Sequence, residues 1–474
     1  MEKKNLWCTY GSGEIKKLNA LCDSYKDYLS KGKTERLCVS ESVKLAEKEG
    51  FHDLDQLIKS GKKLKAGDKF YATYMKKTIV LGILGKESLT CGTNILGAHI
   101  DSPRLDIKQN PLYEKSEFAY LDTHYYGGIK KYQWVTLPLA LYGVVVKKDG
   151  TVVDIAVGDA ADDPVFCVTD LLVHLAGKQM GKTANIVVEG EALDVLIGSR
   201  PLAKDDSGKK SKKKDDEENG KDSKNAVKAN ILKLLKDKYG IEEDDFLSAE
   251  IEVVPAGEAR DLGFDRSMII GYGHDDRVCA YTSLKALLDC KNPRRTALCI
   301  LSDKEEVGSM GATGMESRFF EDTLAEVMNL TDEYSDLNLR RALRNSRVLS
   351  SDVSAGYDPL YSSAFEKNNS AFFGHGIVFN KYTGARGKGG SNDANAEYMA
   401  ELRKIMDDNN VGYQTAELGK VDEGGGGTIA YILANYGMRV IDSGVAVLCM
   451  HSPWEVASKA DIYEAYKAYS AFIK

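Results

Sequence analysis

Two imidazoles and a set of carboxylates recur in this chain where an apolar run gives way to a loop. The stretches are Gly97-Ala98-His99-Ile100-Asp101, Gly273-His274-Asp275-Asp276-Arg277, Asp303-Lys304-Glu305-Glu306-Val307-Gly308, Ser350-Ser351-Asp352 and Cys449-Met450-His451-Ser452. His99, Asp275, Glu306, Asp352 and His451 make the nitrogen and oxygen donor set of a paired divalent-metal site. The charges agree. Asp275, Glu306 and Asp352 each bring one negative charge, and a hydroxide brings another, which together balance two divalent cations. Glu305 is left over, and a carboxylate standing off the ions is what a general base needs to be.

Each stretch alone has a plainer reading. His99 and Asp101 fall on one side of an extended backbone, so the acid can hold the proton of one ring nitrogen while the other binds a metal. A His-x-Asp is nevertheless common. Asp275 and Asp276 open a helical pattern, where an acid also serves as a cap. Glu305-Glu306 would pass for a solvated acidic pair, Asp352 for a turn residue and His451 for a buried histidine. Their shared position after strands is what raises them. Gly308, Gly311 and Gly314 suggest a tight loop rather than a dinucleotide fingerprint, because the preceding acids would repel a pyrophosphate. His274 is ambiguous because it abuts Asp275. His52, His124, His174 and His375 have no comparable support.

The elements that must position these groups follow from periodicity. Residues 14 to 60 read as helical. Strands are predicted at 78–84, 94–99, 268–271, 296–301, 347–351 and 445–450, and a helix at 277–288. This is the rhythm of an α/β fold with a mostly parallel sheet covered by helices, whose sites form outside the carboxyl ends of the strands. Between them the texture changes. Tyrosines cluster at Tyr113, Tyr120, Tyr125, Tyr126 and Tyr132, and two β-branched runs flank Asp149-Gly150, a hairpin signal. An inserted β-rich domain over 108–255 accounts for this and leaves 1–107 and 256–474 as the catalytic domain. Within the insert, 205–223 is a run of mixed charge with no apolar core and reads as a mobile solvated loop. A helix follows at 226–239.

With 474 residues, 28% charged and 43% hydrophobic, the composition is that of a globular protein. A net charge of -7 and a pI near 5.7 argue against nucleic acid or an acidic membrane as partner. No signal peptide is legible, and the apolar run Gly444 to Met450 is far too short to span a bilayer. Nine scattered cysteines with no Cys-x-x-Cys pair suit reduced core residues, hence a cytoplasmic location.

In this order the five stretches resemble the aspartyl aminopeptidase and vacuolar aminopeptidase I family of cocatalytic zinc metallo-aminopeptidases. Gly273-His274-Asp275-Asp276-Arg277-Val278-Cys279-Ala280-Tyr281 resembles the bacterial branch, and the likeness covers nearly the whole chain. The resemblance implies two bound metal ions, zinc by family habit, though cobalt and manganese suit the same donors. It implies that His99, Asp275 and Asp352 hold one ion and Asp275, Glu306 and His451 the other. Glu305 would be the general base, and Asp101 would orient His99. It also implies that the insert is an oligomerisation domain, with dimers assembling into a tetrahedral dodecamer. A histidine from a neighbour's insert would complete the site; His174 is the nearest candidate. The substrates would be peptides with a free N-terminus, acidic residues preferred, with Lys381, Arg386 and Lys388 in a suitable loop. A two-metal carboxypeptidase or N-deacylase is the nearest rival and would need a cation for a substrate carboxylate. An inactive assembly scaffold is the rival outside enzymes, and the intact Glu305 speaks against it.

Overall fold

The computed structural model describes residues 4–203 and 225–474. The charged run 205–223 lies outside them. The chain folds as two compact units, Met1–Ser102 with Glu258–Lys474, and Pro103–Gly257.

The first unit is built on a nine-stranded sheet. Its centre is four parallel neighbours in the order Ala297–Ser302, Asn94–His99, Arg347–Ser351 and Arg439–Gly444. These strands are buried on both faces along most of their length, as a parallel sheet covered on both sides requires. Alternate side chains divide between two cores. Leu96, Cys299, Leu301, Leu349 and Ile441 belong to one, among residues of the helices Ser12–Lys31, His274–Asp289, Ala396–Asp408 and Lys459–Phe472. Ile95, Leu298, Ile300, Val348 and Val440 belong to the other, with the helices Phe319–Leu330, Asp336–Asn345 and Ala430–Ala434. Register aligns the strand ends. Ser302 lies opposite His99, Ser350 opposite Gly97 and Ser351 opposite Ser443. The loops carrying Glu305-Glu306 and Asp352 therefore leave the sheet beside His99. Antiparallel strands flank this centre, so the sheet is mixed.

The runs 268–271 and 445–450 depart from the expected parallel rhythm. Their strands, Met268–Gly271 and Ala446–Leu448, belong to a separate five-stranded sheet, where both pair antiparallel with Glu455–Ser458. The order there is Arg260–Leu262, Met268–Gly271, Glu455–Ser458, Ala446–Leu448, Ser354–Ala355. An apolar run states that a strand is buried, not which sheet takes it. The fourth central place in the main sheet goes to Arg439–Gly444, whose Arg439, Asp442 and Ser443 dilute its apolar signal.

The second unit is a seven-stranded sheet whose pairings are all antiparallel. The hairpin Leu139–Val146 with Val152–Val157 turns at Asp149-Gly150, and Val146 lies opposite Val152. Gly150 takes φ +86°, and the Asp149 carboxylate accepts the Thr151 N–H at 2.9 Å. The helix Ala226–Tyr239 packs on this sheet. Trp134, Leu139, Val145, Leu193, Val195 and Val253 are fully buried in it.

Strand Arg439–Gly444 passes so close to the Asp352 main chain that a Cβ at Gly444 would lie 1.9 Å from the Asp352 carbonyl oxygen. Gly444→Ala is therefore expected to lower the thermal unfolding midpoint, at a cost of about 1–3 kcal/mol for an overpacked core. An unchanged midpoint in calorimetry would mean that the strand moves aside freely.

Candidate metal centre

His99 closes its strand fully inside the molecule. Its Nδ1 lies 3.1 Å from the Asp101 main-chain oxygen and 3.3 Å from the Asp101 Oδ1. Those acceptors place the ring proton on Nδ1 and leave Nε2 with a lone pair for a cation. The Asp101 carboxylate also fixes a turn. One of its oxygens accepts the Glu305 N–H at 3.2 Å and the other the Glu306 N–H at 3.2 Å. One buried acid thus holds both an imidazole and the loop bearing the glutamate pair. Lys304 at φ +70° and Gly308 at φ +95° bracket the tight turn Glu305–Val307.

Asp275 lies between the two imidazoles. Its Oδ1 is 3.2 Å from His99 Nε2, and its Oδ2 is 3.1 Å from His451 Nε2. Glu306 Oε2 is 3.5 Å from His451 Nε2, and Asp352 Oδ1 is 3.8 Å from His99 Nε2. Glu305 Oε2 also approaches His99 Nε2, at 3.8 Å. Two donors bound about 2.0 Å from one tetrahedral ion lie about 3.3 Å apart. The observed separations fit donors that share ions. The atoms facing one another support this: His99 Nε2, Asp275 Oδ1 and Glu306 Oε1 are buried without a hydrogen bond. The sets His99, Asp275, Glu306 and His99, Glu305, Asp352 each place their donor atoms within 4.8 Å of one another.

The electrostatics carry the same message. Burial, with Asp352, Asp101 and Asp275 nearby, pushes the Glu305 carboxyl up to about 8, against the pull of His99. Burial and Asp275 hold Glu306 well above the ordinary carboxylate range, and burial also raises Asp352. Burial works against the charge on Asp275, yet His451 and His99 keep its carboxyl below the ordinary value. Burial opposes the charge on His99 too, but Asp101, Asp275 and Asp352 lift its pKa well above that of a free imidazole. Acids packed this tightly repel one another, and positive ions among them would reverse the penalty.

A cavity of about 690 Å³ opens onto Asp275, Glu305, Glu306, Asp352 and His451. Gly424 to Gly427 form one wall, and Val353, Phe365, Leu418 and Met450 supply apolar surface. The regular helix holding Arg277 begins after Asp275 and Asp276, whose backbones are non-helical and whose shared peptide bond is cis. His274 faces away: its Nδ1 pairs with the Tyr25 hydroxyl at 2.7 Å, and burial lowers it to about 3. Lys381 and Lys388 both pair with Asp393. Arg386, Lys388 and Lys420 line a neighbouring cavity of about 100 Å³ that shares Leu418, Gly419, Gly424 and Gly425 with the larger one. His174 belongs to the second unit, exposed on the turn Val173–Leu175.

Two buried acids beside this cluster were not singled out by the sequence. Asp442 accepts the Thr428 hydroxyl and is raised to about 7 by burial, with Asp352 adding to the effect. Glu455 accepts main-chain N–H groups of both Asp275 and His451. Its one sequence signal is an acid four residues after His451 in His-Ser-Pro-Trp-Glu.

Comparison with known proteins points to a metallopeptidase family. The family model described as "Aminopeptidase I zinc metalloprotease (M18)" matches residues 28–473. A "Probable M18 family aminopeptidase 1" of Clostridium acetobutylicum is 59% identical over 472 residues, covering 100% of this chain and 98% of the relative. The crystal structure of an M18-family aminopeptidase from Thermotoga maritima superposes with a TM-score of 0.91 at 42% identity, covering 100% of this chain and 99% of that one. The S. cerevisiae mApe1 dodecamer shares the fold at a TM-score of 0.73 and 21% identity, over 95% of each chain. With its fold and its cluster of imidazoles and carboxylates, the chain belongs to the M18 family of zinc metallo-aminopeptidases.

Proposed function

We propose that this enzyme releases N-terminal residues from peptides with two divalent ions, zinc by family habit, held side by side. The observation that carries the reading is Asp275, whose two carboxylate oxygens each face a different imidazole, at 3.2 and 3.1 Å. His99, Asp275 and Asp352 would hold one ion, and Asp275, Glu306 and His451 the other. Such ions, when bound, polarise a peptide carbonyl and acidify a water molecule. The protein's own part is proton handling and positioning. Glu305 takes the proton of the attacking water on its carboxylate and returns it to the leaving nitrogen. Asp101 keeps His99 oriented and the Glu305-Glu306 turn in place.

The pocket wall supports an aminopeptidase over a carboxypeptidase or N-deacylase. Asp275, Glu305, Glu306, Asp352 and Glu423 line it, and among the described residues no Lys or Arg does. Such a wall attracts an ammonium and repels a terminal carboxylate. For the released side chain we propose an acidic preference served by the adjoining cavity. Lys388 is engaged by Asp393 there, which leaves Arg386 and Lys420 as the cations for a substrate carboxylate.

For the second unit we propose an oligomerisation role. Leu171, Leu172, Val173, Leu175 and Met180 are all exposed, Val173 by 76% and Leu175 by 67%. A cluster of this kind favours a partner surface, and a second copy is the simplest one. Dimers assembling into a tetrahedral dodecamer, with His174 completing a neighbour's site, extend this reading in line with the dodecameric relative. All nine cysteines are without disulfides, which supports a cytoplasmic location. Among the described residues, no helix is long and apolar enough to cross a membrane.

Elemental analysis of unchelated protein should find two divalent ions per chain, and exhaustive chelation should abolish hydrolysis. Glu305→Gln should lower kcat by about a hundredfold or more with metal retained, whereas Glu306→Gln should lose metal. Full turnover in metal-free protein would defeat the reading, and the reverse pattern would exchange the two glutamates' roles.

A panel of amino-acid arylamides should show the highest kcat/KM on aspartyl and glutamyl substrates. The double variant Arg386→Ala, Lys420→Ala should erase that lead over leucyl substrates. A wild-type enzyme that favours leucyl substrates would refute the acidic preference and leave the metal centre untouched.

Light scattering should report a mass near twelve times the 52.1 kDa chain. His174→Ala should lower turnover without changing that mass. A fully active monomer would refute both the interface and the shared histidine.

A further inference from the structure

We infer that Glu455 is a positioning residue that sets the spacing of Asp275 and His451, through one carboxylate that accepts a main-chain N–H from each. Its Oε2 accepts from Asp275 at 3.0 Å and its Oε1 from His451 at 2.6 Å. The inference rests on the two-ion reading, in which these residues hold one ion together.

The topology explains why this acid can do it. In the five-stranded sheet, Glu455–Ser458 lies between Met268–Gly271 and Ala446–Leu448. The chain leaving the first neighbour carries Asp275, and the chain leaving the second carries His451. Glu455 is the first residue of the middle strand, opposite Gly271. It sits at the sheet end from which Asp275 departs, and it is 1% exposed.

Both main chains need holding. Asp275 is non-helical at the start of its helix, and His451 has φ +64°, a left-handed conformation that a side chain with a Cβ disfavours. The Asp275 amide lies in the first turn, where no carbonyl of its own helix is in reach, and His451 lies outside the strands. The carboxylate supplies an acceptor to both. The two side chains meet 3.1 Å apart, His451 Nε2 to Asp275 Oδ2. A shift of either backbone moves a donor atom. Two other buried acids nearby are engaged elsewhere, Asp101 with the Glu305-Glu306 turn and Asp442 with Thr428. A glutamine can accept through its one carbonyl oxygen but presents an NH₂ to the other N–H, so it satisfies one amide and opposes the second.

The test is Glu455→Gln in the full-length enzyme, with zinc affinities measured by competition against a chromophoric chelator. One of two ions should bind about tenfold or more weakly, the scale for outer partners of a metal ligand. It should be the ion whose site His451→Ala removes, so that adding Glu455→Gln to His451→Ala costs that ion nothing further. Millimolar zinc should restore much of the lost kcat. Glu455→Gln with wild-type affinity for both ions and a lowered unfolding midpoint would assign a merely structural role and overturn the inference. A wild-type protein that binds fewer than two ions would instead defeat the two-ion reading. Should the variant not fold, hydrogen exchange on metal-free wild-type protein decides. The amides of Asp275 and His451 should be protected, and exchange at solvent-exposed rates would overturn the inference.

Discussion

Gathering Asp275, Glu305, Glu306 and Asp352 around two imidazoles is the constraint on which the catalytic unit depends. Buried carboxylates that face one another raise each other's pKa, and three of these four are shifted upward by burial and by their neighbours. Such a cluster is sustained only if the backbone is fixed from outside and the charge is answered from inside. Main-chain amides, buried acids and strand register supply the first. Cations supply the second. The M18 family's zinc and the donor separations of 3.1 to 3.8 Å point to the same answer.

Two sheets deliver these side chains from two directions. His99, the Glu305-Glu306 turn and Asp352 leave the parallel centre of the large sheet, brought side by side by its register. Asp275 and His451 come from the five-stranded sheet. Asp275 touches both imidazoles and so is the point where the two sheets' contributions join. In the proposed two-ion state, metal would link segments far apart in sequence. Binding to the folded chain alone would then add to its stability by mass action.

Much of this was legible because burial in strands and helices has a period. Asn94–His99, Met268–Gly271 and Arg347–Ser351 form strands where their apolar runs place them. The loops of the candidate site were legible because His99, Glu305-Glu306 and Asp352 each follow such a run. What escaped lies in contacts with no side-chain signature. Arg439–Gly444 is polar where it passes behind the site, and so it does not read as a central strand. Glu455, and Asp101 in its hold on the Glu305-Glu306 turn, act on main-chain N–H groups, which nearly every residue has. His274 looked like a neighbour of the site because it precedes Asp275, but the non-helical backbone at Asp275 turns the two apart, and His274 spends its ring on Tyr25.

The same carboxylates bear on the direction of cleavage under the proposed reading. An exopeptidase must recognise a chain end, and the two ends differ in charge. A pocket whose charged wall is acidic, next to ions that claim part of that charge, still leaves Glu423 and one face of Asp352 to meet an ammonium. It offers a carboxylate nothing on that wall. The glycines Gly424 to Gly427 keep a stretch of the pocket wall bare of side chains, so a peptide backbone can lie close to it. An acidic side chain on the released residue must then turn away from the centre. The adjoining cavity with Arg386 and Lys420 is the direction in which it finds positive charge. Recognition of the amine and of the side chain would thus rest on opposite charges set on two sides of one shared wall.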